Sequence, residues 1–253
     1  MQLIFDGRKS NTAQIVAGYA STIIQQFEND YQSKFNVQLR KTKLSPRYWY
    51  NPNLLYYWYN VPCLVSILSM LTCLIITSIS VAREKELGTF DQLLVSPLLP
   101  IEILLGKIIP GILIGLAEGS IILLVGVFIF GVPFTGSVLL FYLCLFFFVS
   151  AIGGVGLFIS SLCSTQQQAI LGTFIFVVPS VILSGFATPI ENMPTWLQPV
   201  SYFMPLRYML VIAKGIFLKE MPASIVLNQA WPMVVIAFFT LLGAGIFFRR
   251  RLA

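Results

Sequence analysis

The sequence contains no histidine and few charged residues, and these two absences exclude several kinds of active site. Without histidine there is no Ser–His triad, no imidazole acid–base group and no imidazole metal ligand. Charged residues make up 10% of the chain and hydrophobic residues 57%, with a mean hydropathy of +0.84. Soluble domains do not have this composition, so we predict an all-α polytopic membrane protein.

A third absence is the nucleotide-binding P-loop pattern G-x-x-x-x-G-K-[ST], which occurs nowhere in the 253 residues. Any use of ATP therefore requires a separate subunit, and we expect no cofactor in this chain. The net charge of +6 does not indicate nucleic-acid binding, because the basic residues are scattered. The four cysteines lack metal-type spacing, so buried unpaired thiols are the simpler interpretation: Cys63, Cys73, Cys144 and Cys163.

Apolar runs of about 20 residues or more predict about five transmembrane helices, since that length crosses a hydrocarbon core of ~30 Å. The predicted spans are residues 62–82, 103–130, 136–162, 166–186 and 231–248. The region 188–230 is punctuated by prolines, and its apolar run 206–218 is too short to cross. We predict that this run is re-entrant or interfacial. A Ser164-x-x-Gln167 capping box is expected to begin the fourth span.

Residues 1–60 are the only sizeable polar region. Apolar patterns at 3–5 and 35–39 predict strands, and the Ser-Asn pair at 10–11 predicts the N-cap of a helix between them. Two short strands and one helix make a poor core, so we expect a partial α/β region. The aromatic clusters within 48–59 predict an interfacial belt before the first span.

The only dense charge cluster between two spans lies at residues 83–97, with the sequence REKELGTFDQLLVSP. Leu87, Phe90, Leu93 and Leu94 are three or four residues apart, which predicts a short amphipathic helix along the membrane surface, ended by Pro97 and Pro100. Gly88-Thr89 can kink or cap the helix inside this segment. Such a helix can transmit a push from a soluble partner into the membrane. A solvated loop whose apolar side chains dip into the headgroups is the alternative interpretation.

Residues 83–89 and 93–98 resemble the signature of type-2 ABC-transporter permeases. Further matching segments extend the resemblance over nearly the whole chain: 60–62, 102–107, 164–168, 189–194 and 205–208. The resemblance implies that residues 83–97 form a coupling helix that docks on a separate ATPase subunit, which binds ATP and Mg. It also implies that two permeases, either two copies or this chain and a paralogue, assemble in the lipid bilayer with two ATPase subunits. The implied coupling residues are Arg83, Glu84, Glu86, Gly88, Thr89, Phe90 and Leu93.

One carboxylate, Glu118, lies in the middle of the second predicted span, where an ionised acid costs roughly 2.5–3.5 kcal/mol. It either faces a substrate pathway or is a protonated or hydrogen-bonded acid packed between helices. Beside it, Gly111, Gly115 and Gly119 form a row of small residues that allows close approach of helices. We favour packing within one protomer over a dimer contact for this row.

The arginines at 249–251 predict a cytoplasmic C-terminus by the positive-inside rule. Counting back through five spans places residues 83–100 in the cytoplasm and residues 188–230 and 1–60 outside. No signal peptide or span precedes residues 1–60. We therefore expect that the chain lacks its natural start, because the permeases it resembles carry an additional N-terminal span. The expected location is a bacterial inner membrane.

The leading function is the membrane subunit of an ATP-driven exporter for hydrophobic or drug-like molecules, as the resemblance implies. Two alternatives stay open. One is a polytopic membrane enzyme that acts on lipid, although the lack of histidine and of a clustered acidic or Ser–Lys group counts against it. The other is a truncated permease that does not transport.

Overall fold

The computed structural model describes residues 4–6, 10–35, 47–49, 55–90, 92, 97 and 99–252. Within them the chain divides into two compact units, Met1–Asn60 and Val61–Ala253. Helices account for most of both units, as the composition predicts.

The first unit contains a long helix and a minimal parallel sheet. Strand β1 (Ile4–Asp6) pairs with strand β2 (Arg47–Trp49), and helix α1 (Ser10–Phe35) lies between them in sequence. The helix begins at Ser10, the first of the two residues that were predicted to cap it. The strand predicted at 35–39 is wrong at its first residue, because Phe35 closes α1; the other four residues lie outside the described ranges. Tyr48 and Trp49 of the predicted aromatic belt lie in β2.

Five helices among the described residues are long and apolar enough to cross a bilayer, which confirms the predicted number of spans. They are α2 (Tyr56–Glu86), α3 (Pro100–Phe128), α4 (Val138–Leu162), α5 (Gln166–Leu183) and α7 (Ala223–Leu252). The first and last begin well before the predicted positions, at Tyr56 and Ala223. The aromatic turn before Val61 continues α2, and a segment interrupted by Asn228 and Gln229 continues α7, ahead of the apolar runs that were used to place the spans.

The fourth span begins with a cap one residue later than predicted. Thr165, and not Ser164, is the N-cap, and its hydroxyl accepts a hydrogen bond from the Gln168 amide at 3.3 Å. The Gln168 side chain in turn accepts from the Ser164 amide at 3.0 Å. Thr165 and Gln168 therefore form the cap, one residue later than the predicted pair Ser164 and Gln167.

Helix α4 forms the centre of the second unit. It packs mainly along α7 and also against α3, and several of its large side chains are fully buried, including Phe141, Leu145 and Phe148. Aliphatic and aromatic side chains thus fill the middle of the bundle, and polar side chains face each other at few positions.

The region between α5 and α7 contains two 3-10 turns, Ile190–Asn192 and Pro199–Phe203, and the helix α6 (Pro205–Leu218). With 14 residues α6 is too short to cross a bilayer, as predicted. Its C-terminal carbonyls accept hydrogen bonds from the α3–α4 link, including one from the Gly136 amide to Ile216 at 3.0 Å. This region and the α3–α4 link therefore lie at one end of the bundle.

Candidate functional site

The opposite end of the bundle carries the link between α2 and α3 and the α4–α5 turn (residues 163–165). The two are adjacent, because the Lys85 ammonium at the end of α2 donates to the Cys163 carbonyl at 3.2 Å. The predicted coupling segment (residues 83–97) belongs to this end. The residues that could act there are therefore found by following the last turn of α2.

A glycine turn divides the coupling segment, so its first four residues belong to α2 and not to a separate helix along the membrane surface. Residues 83–86 form the last turn of α2, and Gly88 follows with φ of 70°, in the left-handed region that favours glycine. The Thr89 amide donates to the Glu84 carbonyl at 3.0 Å and the Gly88 amide to the Lys85 carbonyl at 3.2 Å. This pair of bonds is a Schellman motif. After it the chain is helical again at Phe90 and Gln92.

Glu84 forms an ion pair with Lys107 of α3, and both side chains are largely shielded from solvent. The second carboxylate oxygen of Glu84 is buried and has no hydrogen-bond partner among the described residues. Removing Lys107 would leave a partly buried charge without compensation, which is costly. The pair therefore holds the ends of α2 and α3 together across the link.

Lys85 binds the C-terminal end of α4. Its ammonium donates to the Ser161 carbonyl at 2.6 Å as well as to Cys163, and it lies 5.8 Å from the centroid of the Phe90 ring. A cation at these carbonyls complements the negative end of the helix dipole. The side chain thus joins α2, α4 and the chain just after the glycine turn.

Glu86 binds the N-terminal end of α5. Its carboxylate accepts a hydrogen bond from the Gln166 backbone amide at 2.8 Å. Gln166 is the first residue of α5, where free amides and the positive end of the dipole favour an anion. Two consecutive charged residues of α2 therefore contact the two helix ends that flank the α4–α5 turn.

The remaining coupling residues separate into an inward and an outward group. Phe90 packs against a buried apolar cluster that includes Val81, Ile103 and Leu157, and so ties the segment to the bundle. Arg83 is exposed, and Leu87 is 63% exposed at the turn. Leu93 lies outside the described residues.

Glu118 lies half-buried on α3, and its Oε2 atom is buried without a hydrogen-bond partner among the described residues. The hydroxyls of Ser66 and Ser69 on α2 are also buried without a hydrogen-bond partner among the described residues. Unpaired buried polar atoms are rare and call for an explanation. Both alternatives stay open for Glu118: a group that faces a substrate pathway and a protonated or hydrogen-bonded acid packed between helices.

The glycine row of α3 lies against α2 and α4 of the same chain. A Cβ atom at Gly119 would lie 2.8 Å from Leu145 Cδ2, and one at Gly111 would lie 2.6 Å from Thr77 Cγ2. At Gly115 it would lie 2.6 Å from Val149 Cγ1 and 3.3 Å from the Ser69 carbonyl. The three helices approach this closely because the row has no side chains.

We expect Gly115→Ala to destabilise the folded protein by about 1–3 kcal/mol, the usual range for overpacking a tight core. The stiff Val149 side chain and the Ser69 carbonyl leave the added methyl no room. Thermal unfolding in detergent, followed by size-exclusion fluorescence, measures the change. Gly106→Ala is the matched control on the same helix, since its methyl would meet nothing within 4 Å. Equal melting temperatures for the two variants would contradict the packing argument.

Two apolar cavities open between α7 and its neighbours. One of about 550 Å³ lies between α7 and the end of the bundle that carries α6, and aromatic rings including Tyr202, Phe203 and Trp231 line it. The other, of about 680 Å³, lies near the start of α3, with Leu99 and Phe238 in its wall. Both have the apolar lining that hydrophobic ligands need.

Tyr208 braces the aromatic cavity. Its hydroxyl donates to the Tyr202 carbonyl at 2.9 Å, and the Arg207 guanidinium stacks on the Tyr202 ring at 4.1 Å. Burial raises the pKa of the Tyr208 phenol, and the positive charge of Arg207 opposes that rise. The phenol therefore stays protonated and keeps its donor role at neutral pH.

Three residues at the coupling end were not among the predicted site residues: Lys85, Lys107 and Ser160. Both lysines lie within segments that carry the family resemblance, so the sequence could have drawn attention to them. It does not identify their contacts, because Lys85 binds residues 76 and 78 positions away. Ser160, which accepts bonds from the Val81 and Ala82 amides, gives no local signal.

Five helices among the described residues are long and apolar enough to cross a bilayer, which indicates a multi-pass membrane protein. A profile of the ABC-2 type transporter family matches residues 15–218, and the chain belongs to that family. It is a type-2 ABC permease, and membership in this family implies an ABC ATPase partner.

Relatives in Escherichia coli strain K12 carry matching names. The chain is 43% identical to the probable multidrug ABC transporter permease YbhR over 251 residues, covering 99% of this chain and 68% of that protein. It is 36% identical to YbhS, another probable multidrug ABC transporter permease, over 90% of this chain and 61% of YbhS. It is 29% identical to the inner membrane transport permease YhhJ, covering 66% of that protein. The chain thus spans about two thirds of the length of these relatives.

Proposed function

We propose that this chain is the membrane-spanning subunit of an ATP-driven exporter that moves hydrophobic or drug-like molecules out of the cytoplasm or the inner leaflet. The coupling segment docks on a separate ATPase, which holds ATP and Mg, and a second permease copy or paralogue completes the transporter. The names of the relatives YbhR and YbhS support a multidrug substrate range.

The exposed Leu87 is the observation that carries this proposal. A leucine that is 63% exposed, one helical turn from the exposed Arg83, offers apolar area whose burial by a partner is favourable. The turn that presents it is held by the Schellman bonds on one side and by the packing of Phe90 on the other. A partner that pushes on Leu87 therefore pushes on the bundle.

The orientation follows from the same proposal. The arginines at 249–251 are cytoplasmic by the positive-inside rule, so the coupling segment and the α4–α5 turn face the cytoplasm, where ATP is available. The region between α5 and α7 and the residues before α2 lie on the outer side of a bacterial inner membrane.

The substrate pathway includes Glu118. Its unpaired carboxylate oxygen lies inside the membrane-spanning part of α3, where a polar group commonly faces an aqueous cleft or a substrate. Substrate leaves outward along the cleft between protomers, and binding of ATP to the ATPase pair drives the rearrangement through contacts that differ between the two states.

The proposal predicts that an ABC ATPase copurifies with the permease. It also predicts that a photo-cross-linking residue at position 87 forms a covalent cross-link to that ATPase. Mass spectrometry of the purified complex identifies the partner, and gel analysis measures the cross-link. A photo-cross-linking residue at position 139 is the matched control. Leu139 is 80% exposed but lies at the start of α4, at the opposite end of the bundle. Absence of an ATPase, or equal cross-linking at the two positions, contradicts the proposal.

A further inference from the structure

The last third of α2 is attached to α4 and α5 at four levels. The Thr173 hydroxyl of α5 donates to the Ser78 hydroxyl at 2.8 Å. One turn further, the Ser160 hydroxyl of α4 accepts bonds from the Val81 and Ala82 amides at 2.9 and 3.0 Å. The Lys85 and Glu86 contacts at either side of the α4–α5 turn complete the series.

Two contacts of this series involve charged groups, the half-buried Lys85 and the exposed Glu86. Hydrogen bonds to charged groups are about twice as strong as those between neutral groups. Each charge also has the sign that its helix end favours, the cation at the carbonyls that end α4 and the anion at the amide that begins α5. Lys85 and Glu86 are adjacent on α2, so neither helix end can shift relative to α2 without breaking a charged bond.

Helix α5 has little other packing to hold it. Its buried residues, such as Ala169 and Thr173, follow one stripe, while Leu171, Ile175 and Val178 on its other side are exposed. A helix that packs along only one narrow face is expected to move with the element to which its end is bound. Its end is fixed to Glu86.

We infer that Lys85 and Glu86 are positioning residues that clamp the end of α2 to the α4–α5 turn, so that a displacement of the coupling segment moves α5 together with α2. The inference rests on the proposed function, because it assumes that a partner displaces the segment. It assigns to these charges a role inside the permease, which leaves the exposed Arg83 and Leu87 as the contact surface for the ATPase.

The test measures the distance between α5 and α3 in the complex of the full chain with its copurifying ATPase. Spin labels replace the exposed Ile175 on α5 and the exposed Leu113 on α3, in a Cys163→Ser background. Pulsed electron paramagnetic resonance compares the complex without nucleotide and with ATP and vanadate. We expect the distance to change with nucleotide in the unmodified clamp and in Lys85→Arg. In the double variant Lys85→Met, Glu86→Gln, we expect that change to be lost.

Arg83→Gln is the matched control, since Arg83 is exposed on the same turn of α2. It should weaken ATPase binding and leave the nucleotide-dependent distance change intact in the complex that forms. A double variant that binds the ATPase and shows the full distance change overturns the inference and leaves the proposed function standing. If the unmodified complex shows no nucleotide-dependent change, or no ATPase copurifies, the proposed function fails and the inference fails with it. Loss of the change in Lys85→Arg as well, despite normal ATPase binding, also overturns it, because the arginine keeps the cation at the α4 carbonyls.

Discussion

Replacing Leu87 with aspartate is expected to abolish export while the permease itself stays folded. The leucine is 63% exposed, so its replacement costs the isolated permease little, whereas a buried charge in the docked interface costs several kcal/mol. A loss of 3 kcal/mol in binding free energy is roughly a hundredfold in affinity, enough to separate the subunits at cellular concentrations. Cellular drug resistance and ATPase pull-down measure the effect.

Two further measurements distinguish docking from folding at this position. Leu87→Met keeps an apolar side chain of similar volume and should retain export and ATPase binding. The melting temperature of Leu87→Asp in detergent should equal that of the unmodified protein. Normal export by the aspartate variant would show that the partner does not cover this turn.

The membrane-spanning helices were predictable from the sequence because length and apolarity alone decide whether a helix can cross a bilayer. Their ends were not. The polar last turn of α2 reads as the start of a new element, yet residues 83–86 continue the helix until the left-handed Gly88 ends it. A glycine six residues after the end of the apolar run is compatible with a kink, a cap or a loop, and only the Schellman bonds distinguish among these.

The charges of the coupling segment show a second limit of local pattern. Glu84 and Glu86 were predicted to meet an ATPase, and that prediction stays open. The structure places both in contacts within the chain, to Lys107 and to the Gln166 amide. Those partners lie 23 and 80 residues away, so the local sequence does not identify them. A charged turn at a membrane surface has the same sequence pattern whether its side chains face a partner or the ends of neighbouring helices.

The middle of the α2–α3 contact supports the proposal that Glu118 lies on the substrate pathway. The two helices run antiparallel, with Gly126 beside Val61, Gly119 beside Ser69 and Gly111 beside Thr77. This register brings Glu118 level with the segment of α2 that carries Ser66 and Ser69. Three buried polar atoms without described partners thus fall at one depth. Unpaired polar atoms at this depth favour binding of a charged or polar group of a substrate.

Glu118→Gln is expected to reduce export of a lipophilic cationic dye by about tenfold, equivalent to roughly 1.4 kcal/mol, and to leave a neutral dye of similar size unaffected. Glutamine preserves the volume and polarity of the side chain and removes the negative charge. The attraction between that charge and a cationic substrate is stronger in a medium of low dielectric constant than in water. Initial export rates of the two dyes from inside-out membrane vesicles supplied with ATP measure the difference. Glu118→Asp keeps the charge and should preserve the preference for the cation. If each dye is exported by Glu118→Gln at the same rate as by the unmodified protein, this carboxylate only packs between helices and the pathway lies elsewhere.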